Sequence, residues 1–302
     1  MTTRSETSPG EGTVRIGTRS SPLARWQADH VAFLLAPTEV EAIVVQTTGD
    51  QDRTTPLAEL GGKGVFVKEV QAAVLDGRAD LAVHSAKDLP STTPPGLVVA
   101  AVPERADPRD ALVGRALADL DAGATVATGS ARRQSQLAAH RPDLTFVGLR
   151  GNMDTRLAAA ATHGAVVVAK AALDRLGRAD EAAEVLDPSS VLPQAGQGTL
   201  AVECRADDEA TRALLAAIDH EPSHRTLRAE RAFLEELGGD CDVPAGAYAQ
   251  VDGDGVSVEG LVASLDGQVV LRHTVRGDDP EAAGRAVARY LLDDAGGAAL
   301  LP

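Results

Sequence analysis

Aromatic residues are scarce, 2% of a 302-residue chain, with one Trp, two Tyr and four Phe. A surface for single-stranded nucleic acid stacks bases on aromatic rings, so that class of function is disfavoured. Basic residues are outnumbered, 29 against 44 acidic, giving a formal charge of −15. This balance argues against a general binder of nucleic acid or anionic membrane. Cysteine is limited to Cys204 and Cys241. Two thiols make no disulfide framework, and a reducing, cytoplasmic setting is expected. No apolar run reaches 18 residues, which leaves no transmembrane helix in the sequence. Residues 1–12 are polar, lack the apolar core of a signal peptide and read as a short disordered lead-in. Lysine is rare too. Only Lys63, Lys68, Lys87 and Lys170 stand against about 25 arginines, and Asn152 is the only asparagine.

At about 150 residues per domain, the length predicts two to three domains, ample to bury a core without disulfide or metal. Strand-like and helical runs alternate through the first two thirds. Residues 14–18 read as a strand, 23–35 as a helix opened by Pro22, 41–47 as a strand and 65–75 as a helix. Short apolar runs at 81–83 and 97–102 look like strands buried on both faces. Pro103 to Asp110, with two prolines and five charges, is the hinge candidate. The pattern then restarts: strands at 125–128, 144–149 and 165–169, helices at 132–139 and 153–161, then a strand at 200–204 and a helix at 208–218. Past His220-Glu221-Pro222 the character changes to a helix at 226–237 and strands at 245–251, 256–262 and 269–275. Asp254-Gly255 and Asp266-Gly267 are the turns between those strands, and a last helix spans 281–293. Two α/β domains and a small α+β domain follow.

Several motifs invite chemistry. His220-Glu221-Pro222-Ser223-His224 matches a zinc-protease string, which needs both histidines on one continuous helix. Pro222 fits only a first helical turn and would leave His220 outside, so a domain junction and helix start is the better reading, with no metal. Gly61-Gly62-Lys63-Gly64 lacks the hydroxyl residue and Gly spacing of a nucleotide loop, and stands as a Gly-rich turn opening a helix. Thr128-Gly129-Ser130-Ala131-Arg132-Arg133 follows a strand and starts a helix. Free N–H groups, hydroxyls and paired guanidinium groups there suit a carboxylate or phosphate, the alternative being a solvated helix start. Arg150 and Arg156 repeat the arrangement after the next strand. His84-Ser85-Ala86-Lys87-Asp88 sits at the carboxyl end of a buried strand, where open α/β sheets place ligands. Cys204 reads as a buried apolar residue, whereas Cys241 lies on a Gly/Pro-bounded loop that would expose a reactive or modified thiol, though its two flanking aspartates raise a thiol pKa rather than activate it, and both readings stand. Taken together, these residues call for a small polyanionic substrate, most simply a polycarboxylate, in an interdomain cleft.

The strings Ile16-Gly-Thr-Arg-Ser-Ser-Pro-Leu-Ala, Gly61-Gly-Lys-Gly-Val-Phe-Val-Lys-Glu, Ala82-Val-His-Ser-Ala-Lys-Asp-Leu-Pro, Thr128-Gly-Ser-Ala-Arg-Arg-Gln, Leu149-Arg-Gly-Asn and Pro193-Gln-Ala-Gly-Gln-Gly closely resemble the porphobilinogen deaminase (hydroxymethylbilane synthase) family. They span nearly the whole chain in the family order. The resemblance implies two domains like those of periplasmic binding proteins, 1–103 with 198–218 and 104–197, plus an α+β domain at 219–302 carrying a cofactor loop. It implies an enzyme that joins four porphobilinogen molecules, with loss of ammonia, into hydroxymethylbilane for tetrapyrrole biosynthesis. The primer is a dipyrromethane held by a thioether to the loop cysteine, here Cys241.

The implied roles suit the residue chemistry. Loss of ammonia leaves an azafulvenium cation, which Asp88 stabilises while accepting pyrrole N–H bonds and relaying a proton. Lys87, Ser130, Arg132, Arg133, Arg150, Gly151 and Arg156 are implied as cofactor-binding. Arg19, Ser21, Gln27, Lys63, Phe66, Arg175 and Gln197, again with Arg150 and Arg156, are implied at the substrate. Arg is favoured because its planar fork binds carboxylate bidentately. The loop around Lys63 and Phe66 is expected to act as a lid. Asp240 intervenes where the family commonly has Gly directly before the Cys, and Glu59 stands where some members have Lys; both alter local charge. A monomer with no metal, membrane or nucleic-acid partner is expected. The rival reading is a secreted cleft protein that binds a small carboxylate without chemistry and has no need of Cys241. The absence of a signal sequence and the presence of that cysteine favour the enzyme.

Overall fold

The computed structural model describes residues 13–47, 64, 66–238 and 243–301. The lead-in 1–12, Glu59, Lys63, Asp240 and Cys241 lie outside the described residues.

The first lobe holds β1 (Val14–Thr18), β2 (Val40–Val44), β3 (Leu81–Ser85), β4 (Leu97–Ala101) and β10 (Leu200–Arg205), in the order β2-β1-β3-β10-β4. The second holds β5 (Asp110–Gly114), β6 (Thr125–Ala127), β7 (Thr145–Val147), β8 (Ala165–Ala169) and β9 (Ala182–Val185), in the order β7-β6-β8-β5-β9. The two orders are the same arrangement. In each sheet one inner strand, β10 or β5, runs antiparallel to both neighbours, while the β2-β1-β3 and β7-β6-β8 ladders are parallel. These antiparallel strands are the first that the chain enters after crossing between lobes, from β4 to β5 and from β9 back to β10.

Helices cover the sheets: α1 (Pro22–Leu34), α2 (Lys68–Leu75) and α6 (Glu209–Leu215) on the first, α3 (Ala131–His140), α4 (Met153–Ala158) and α5 (Lys170–Arg175) on the second. Strands buried by helices on both faces lose alternation, and β8, Ala-Val-Val-Val-Ala, is buried throughout. The start of α1 follows from its residues. The Ser21 hydroxyl accepts from the Ala24 N–H and Pro22 takes the first turn, where its missing N–H costs nothing. Ala24, Gln27, Ala28 and Val31 then line its inner face.

The third unit packs α7 (Glu221–Leu237) and α8 (Pro280–Arg289) on an antiparallel sheet of β11 (Ala245–Asp252), β12 (Gly255–Ala263) and β13 (Val270–Gly277). Phe233, Ala247, Val258 and Val287 meet in its core. Helix α7 starts at Glu221 with Pro222 in its first turn, five residues before the expected start at 226. The first hairpin turns through Gly253-Asp254, since Asp252 pairs with Gly255, one residue earlier than the pair expected from sequence. Two α/β lobes and a small α+β unit are the architecture that the sequence reading anticipates. Among the described residues no helix is long and apolar enough to cross a membrane.

Candidate active site

The carboxyl ends of β1, β3, β6 and β7 deliver Arg19, Lys87–Asp88, Ser130 and Arg150 in turn. Strand ends are where an α/β sheet exposes side chains and free N–H groups to a ligand. After β3 a single 3-10 turn, Ala86–Asp88, sets Asp88 exposed to solvent. Arg19, Ser21, Gln27, Phe66, Ser85 and Asp88 line one cavity, together with His84. Within it the Arg19 guanidinium carbon lies 4.1 Å from the Phe66 ring centroid, and Gln27 Nε2 donates to Ser85 Oγ at 2.7 Å. Gly196 on the β9–β10 crossover has φ +73°, and a side chain there would come within 2.9 Å of the Lys87 backbone nitrogen. Glycine is therefore required for the crossover to pass beneath the Ala86–Asp88 turn.

Asp110, the first residue of β5, organises the floor between the lobes. It is fully buried and accepts from Arg132 Nη2 at 2.7 Å, Arg133 Nη2 at 2.7 Å and Gln197 Nε2 at 2.8 Å. Burial alone would raise its pKa, but the charges of Arg132 and Arg133 hold it well below the usual carboxylate range. Gln197 then accepts from Lys87 Nζ at 3.1 Å. Arg132 and Arg133, expected at the primer, both pair with the Asp110 carboxylate. Arg132 is 1% exposed, with Nη1 on the Leu192 carbonyl and Nη2 on Asp110. Arg133 gives Nε and Nη2 to Asp110 and Nη1 to the Val167 carbonyl. The anion shared by this helix start is the protein's own Asp110. Ser130 caps α3 and faces a small cavity with Lys87, Gln194, Leu234 and Ala245.

The remaining cations crowd one another. Lys87 is lowered to about 8 by burial and by Arg133, while Asp88 pulls it back up. Arg156 is lowered by burial and Arg133, and Arg175 to about 10 by burial, each with Asp88 opposing. The charge of Asp88 thus reaches cations from both lobes. Arg156 Nε donates to the Gly151 carbonyl at 2.9 Å and Arg175 Nη2 to the Gly198 carbonyl at 2.8 Å. Arg150 Nη1 and Arg175 Nε are buried without a hydrogen-bond partner. Buried donors of this kind call for an acceptor, and crowded guanidinium groups call for negative charge.

Elsewhere, His220 Nδ1 pairs with Ser223 Oγ and His224 Nδ1 with Asp219, each at 2.8 Å, so the two histidines of the zinc-like string have separate partners. Cys204 is buried, and burial pushes its thiol up to about 11. Sequence reasoning missed Asp110, the last charge of the Pro103–Asp110 stretch, directly before an apolar run. It also missed Glu230, buried on α7, which accepts from Arg105 and from the Gly196 and Ala249 N–H groups.

The family profile for the porphobilinogen deaminase dipyrromethane cofactor binding domain matches residues 14–213, and that for the porphobilinogen deaminase C-terminal domain matches 224–293. The chain belongs to the porphobilinogen deaminase family. The porphobilinogen deaminase of Syntrophomonas wolfei is 45% identical over 299 residues, covering 95% of this chain and 97% of that one. That of Nitratidesulfovibrio vulgaris strain Miyazaki F is 48% identical over 272 residues, covering 87% and 86%. Among solved structures, an arginine-specific periplasmic binding protein of Salmonella typhimurium is 15% identical over 68% of this chain and 91% of that chain. The TM-score of that match is 0.35. As a porphobilinogen deaminase family member the chain is an enzyme of tetrapyrrole biosynthesis, and residues 14–213 form its dipyrromethane cofactor binding domain. The site fits that group. A dipyrromethane bears several carboxylates, and the orphaned N–H groups of Arg150 and Arg175 beside lowered Lys87 and Arg156 are donors that lack an anion.

Proposed function

We propose that this chain joins four porphobilinogen molecules head to tail into hydroxymethylbilane, with Asp88 as the catalytic carboxylate and Cys241 as the attachment point of the dipyrromethane. The observation that carries the assignment of Asp88 is its place: an exposed carboxylate at a strand end whose charge is felt by Lys87, Arg156 and Arg175. When bound, the dipyrromethane supplies the nucleophilic pyrrole carbon that receives the first substrate ring. Asp88 accepts the substrate's pyrrole N–H, opposes the cation left when ammonia departs, and takes the proton released as the new bond forms. Arg19, Ser21, Gln27 and Phe66 make the substrate wall, and Lys63 is kept in the substrate-binding set. Lys87, Ser130, Arg150, Gly151, Arg156 and Arg175 hold the carboxylates of the primer and the growing chain. Gln197 links Lys87 to Asp110, and Asp110 orients Arg132 and Arg133, of which Arg132 lines the same small cavity as Lys87 and Ser130.

Leu234 and Ala245, which flank the 239–242 segment, line the same small cavity as Lys87 and Ser130; this supports attachment at Cys241. The buried, raised Cys204 is a poor alternative. The proposal includes the three-domain partition at 103/104, 197/198 and 218/219, of which the two crossovers between sheets support the first two boundaries. It extends to a cytoplasmic monomer without metal, membrane or nucleic-acid partner, in keeping with the charge of −15 and the two cysteines.

Asp88→Asn tests the reading. The change is nearly isosteric and removes the charge opposing the cation, so turnover should fall on the order of 10²–10³-fold. The dipyrrole adduct should still appear in the intact mass, since assembly needs few turnovers. Activity within about threefold of wild type would make Asp88 structural.

A further inference from the structure

Trp26 is the single tryptophan of the chain. It lies on α1, on the first lobe, one turn before His30, and the two rings stack with centroids 5.0 Å apart and planes 10° from parallel. The Arg175 guanidinium carbon sits 5.7 Å from the Trp26 ring centroid. Arg175 closes α5 on the second lobe, so this contact spans the two lobes. Arg175 is 9% exposed, and its Nη2 is anchored on the Gly198 carbonyl while its Nε is buried and unpartnered. A guanidinium so confined is steered by whatever faces its plane, and an indole face within about 6 Å attracts it. His30 completes the arrangement. Burial and the nearby Arg175 both lower its pKa, which favours the uncharged ring behind the indole.

We propose that Trp26, backed by His30, is a positioning residue that holds Arg175 with its free Nε–H available to a substrate carboxylate. The proposal rests on the reading of Arg175 as a carboxylate-binding residue. A cation over an indole face is worth roughly two- to thirtyfold in occupancy. Trp26→Leu removes the face and keeps apolar bulk, whereas Trp26→Phe keeps a smaller face. The holoenzyme of each, with Arg175→Leu beside them, is assayed for KM and kcat with porphobilinogen. Wild-type tryptophan emission, which reports Trp26 alone, is followed in stopped flow with the same substrate.

Trp26→Leu should raise KM several-fold with kcat within about twofold, and Trp26→Phe should recover most of the loss. Wild-type emission should change on mixing with substrate, and the change should vanish in Arg175→Leu. A wild-type KM in Trp26→Leu overturns the proposal, as does Trp26→Phe failing equally while both variants carry full primer adduct. Should Trp26→Leu not fold, unchanged wild-type emission at saturating substrate overturns it. A wild-type KM in Arg175→Leu sinks the reading of Arg175 instead, which separates the two failures.

Discussion

Asp110 holds two guanidinium groups and an amide out of water, and that single carboxylate decides what its partners are free to do. Removing one member of a buried charged cluster leaves the others unneutralised, at about 3–5 kcal/mol. Arg132→Leu and Asp110→Asn should therefore both lower the urea midpoint of unfolding by an amount of that order. Unchanged stability with a lost primer adduct in Arg132→Leu would instead put Arg132 on the primer. The strand-end residues Arg19, Asp88, Ser130 and Arg150 were legible in the sequence because each follows an apolar strand and precedes a helix signal. Asp110 was not. It sits in a Pro-rich charged stretch that reads as a hinge, and only the crossover brings it under Arg132 and Arg133 from a helix some twenty residues away.

Among elements, strongly patterned segments were readable and short ones were not. β3, β8 and α1 carry periodicity, caps and turns that agree with one another. β9 is a four-residue edge strand with a glutamate inside, and α5 follows β8 with no intervening turn, so neither leaves a local signal. β5 hides behind the hinge composition that precedes it. Helix α7 illustrates what local pattern omits, because its buried Glu230 joins three separate segments. Its carboxylate accepts from Arg105 Nη1 at 2.6 Å on one crossover, the Gly196 N–H at 2.6 Å on the other, and the Ala249 N–H at 2.8 Å on β11. Glu230→Gln keeps the shape but opposes an amide donor to N–H groups and strands Arg105. We expect a loss of about 3–5 kcal/mol in denaturant unfolding. A change under about 0.5 kcal/mol would mean that the packing of α7, not this carboxylate, ties the third unit to the crossovers.

At the scale of the whole molecule, a chain of net charge −15 brings Lys87, Arg133, Arg150 and Arg156 together in one cleft, and they repel each other until carboxylates arrive. Primer loading should therefore stabilise the fold as well as enable turnover, since whatever binds only the native state raises its stability. Cys241→Ser, lacking the attachment thiol, should fold without the dipyrrole adduct and melt below the loaded enzyme. Lys87 gives that difference a pH signature. Its folded pKa is about 8 against an ordinary 10.5, so between those values the unfolded chain binds more protons. Stability of the unloaded protein should then rise with pH across that window, and the gain is lost again as pH falls through 8. The full shift corresponds to about 3 kcal/mol, and partial exposure of Lys87 brings the expected gain to roughly 2 kcal/mol. In the loaded enzyme the primer carboxylates favour charged Lys87, and the rise should flatten. Urea unfolding of both proteins from pH 7 to about 10.5, with Lys87→Met in the Cys241→Ser background as control, reads this directly. Equal slopes for loaded and unloaded protein would show that Lys87 does not face the primer.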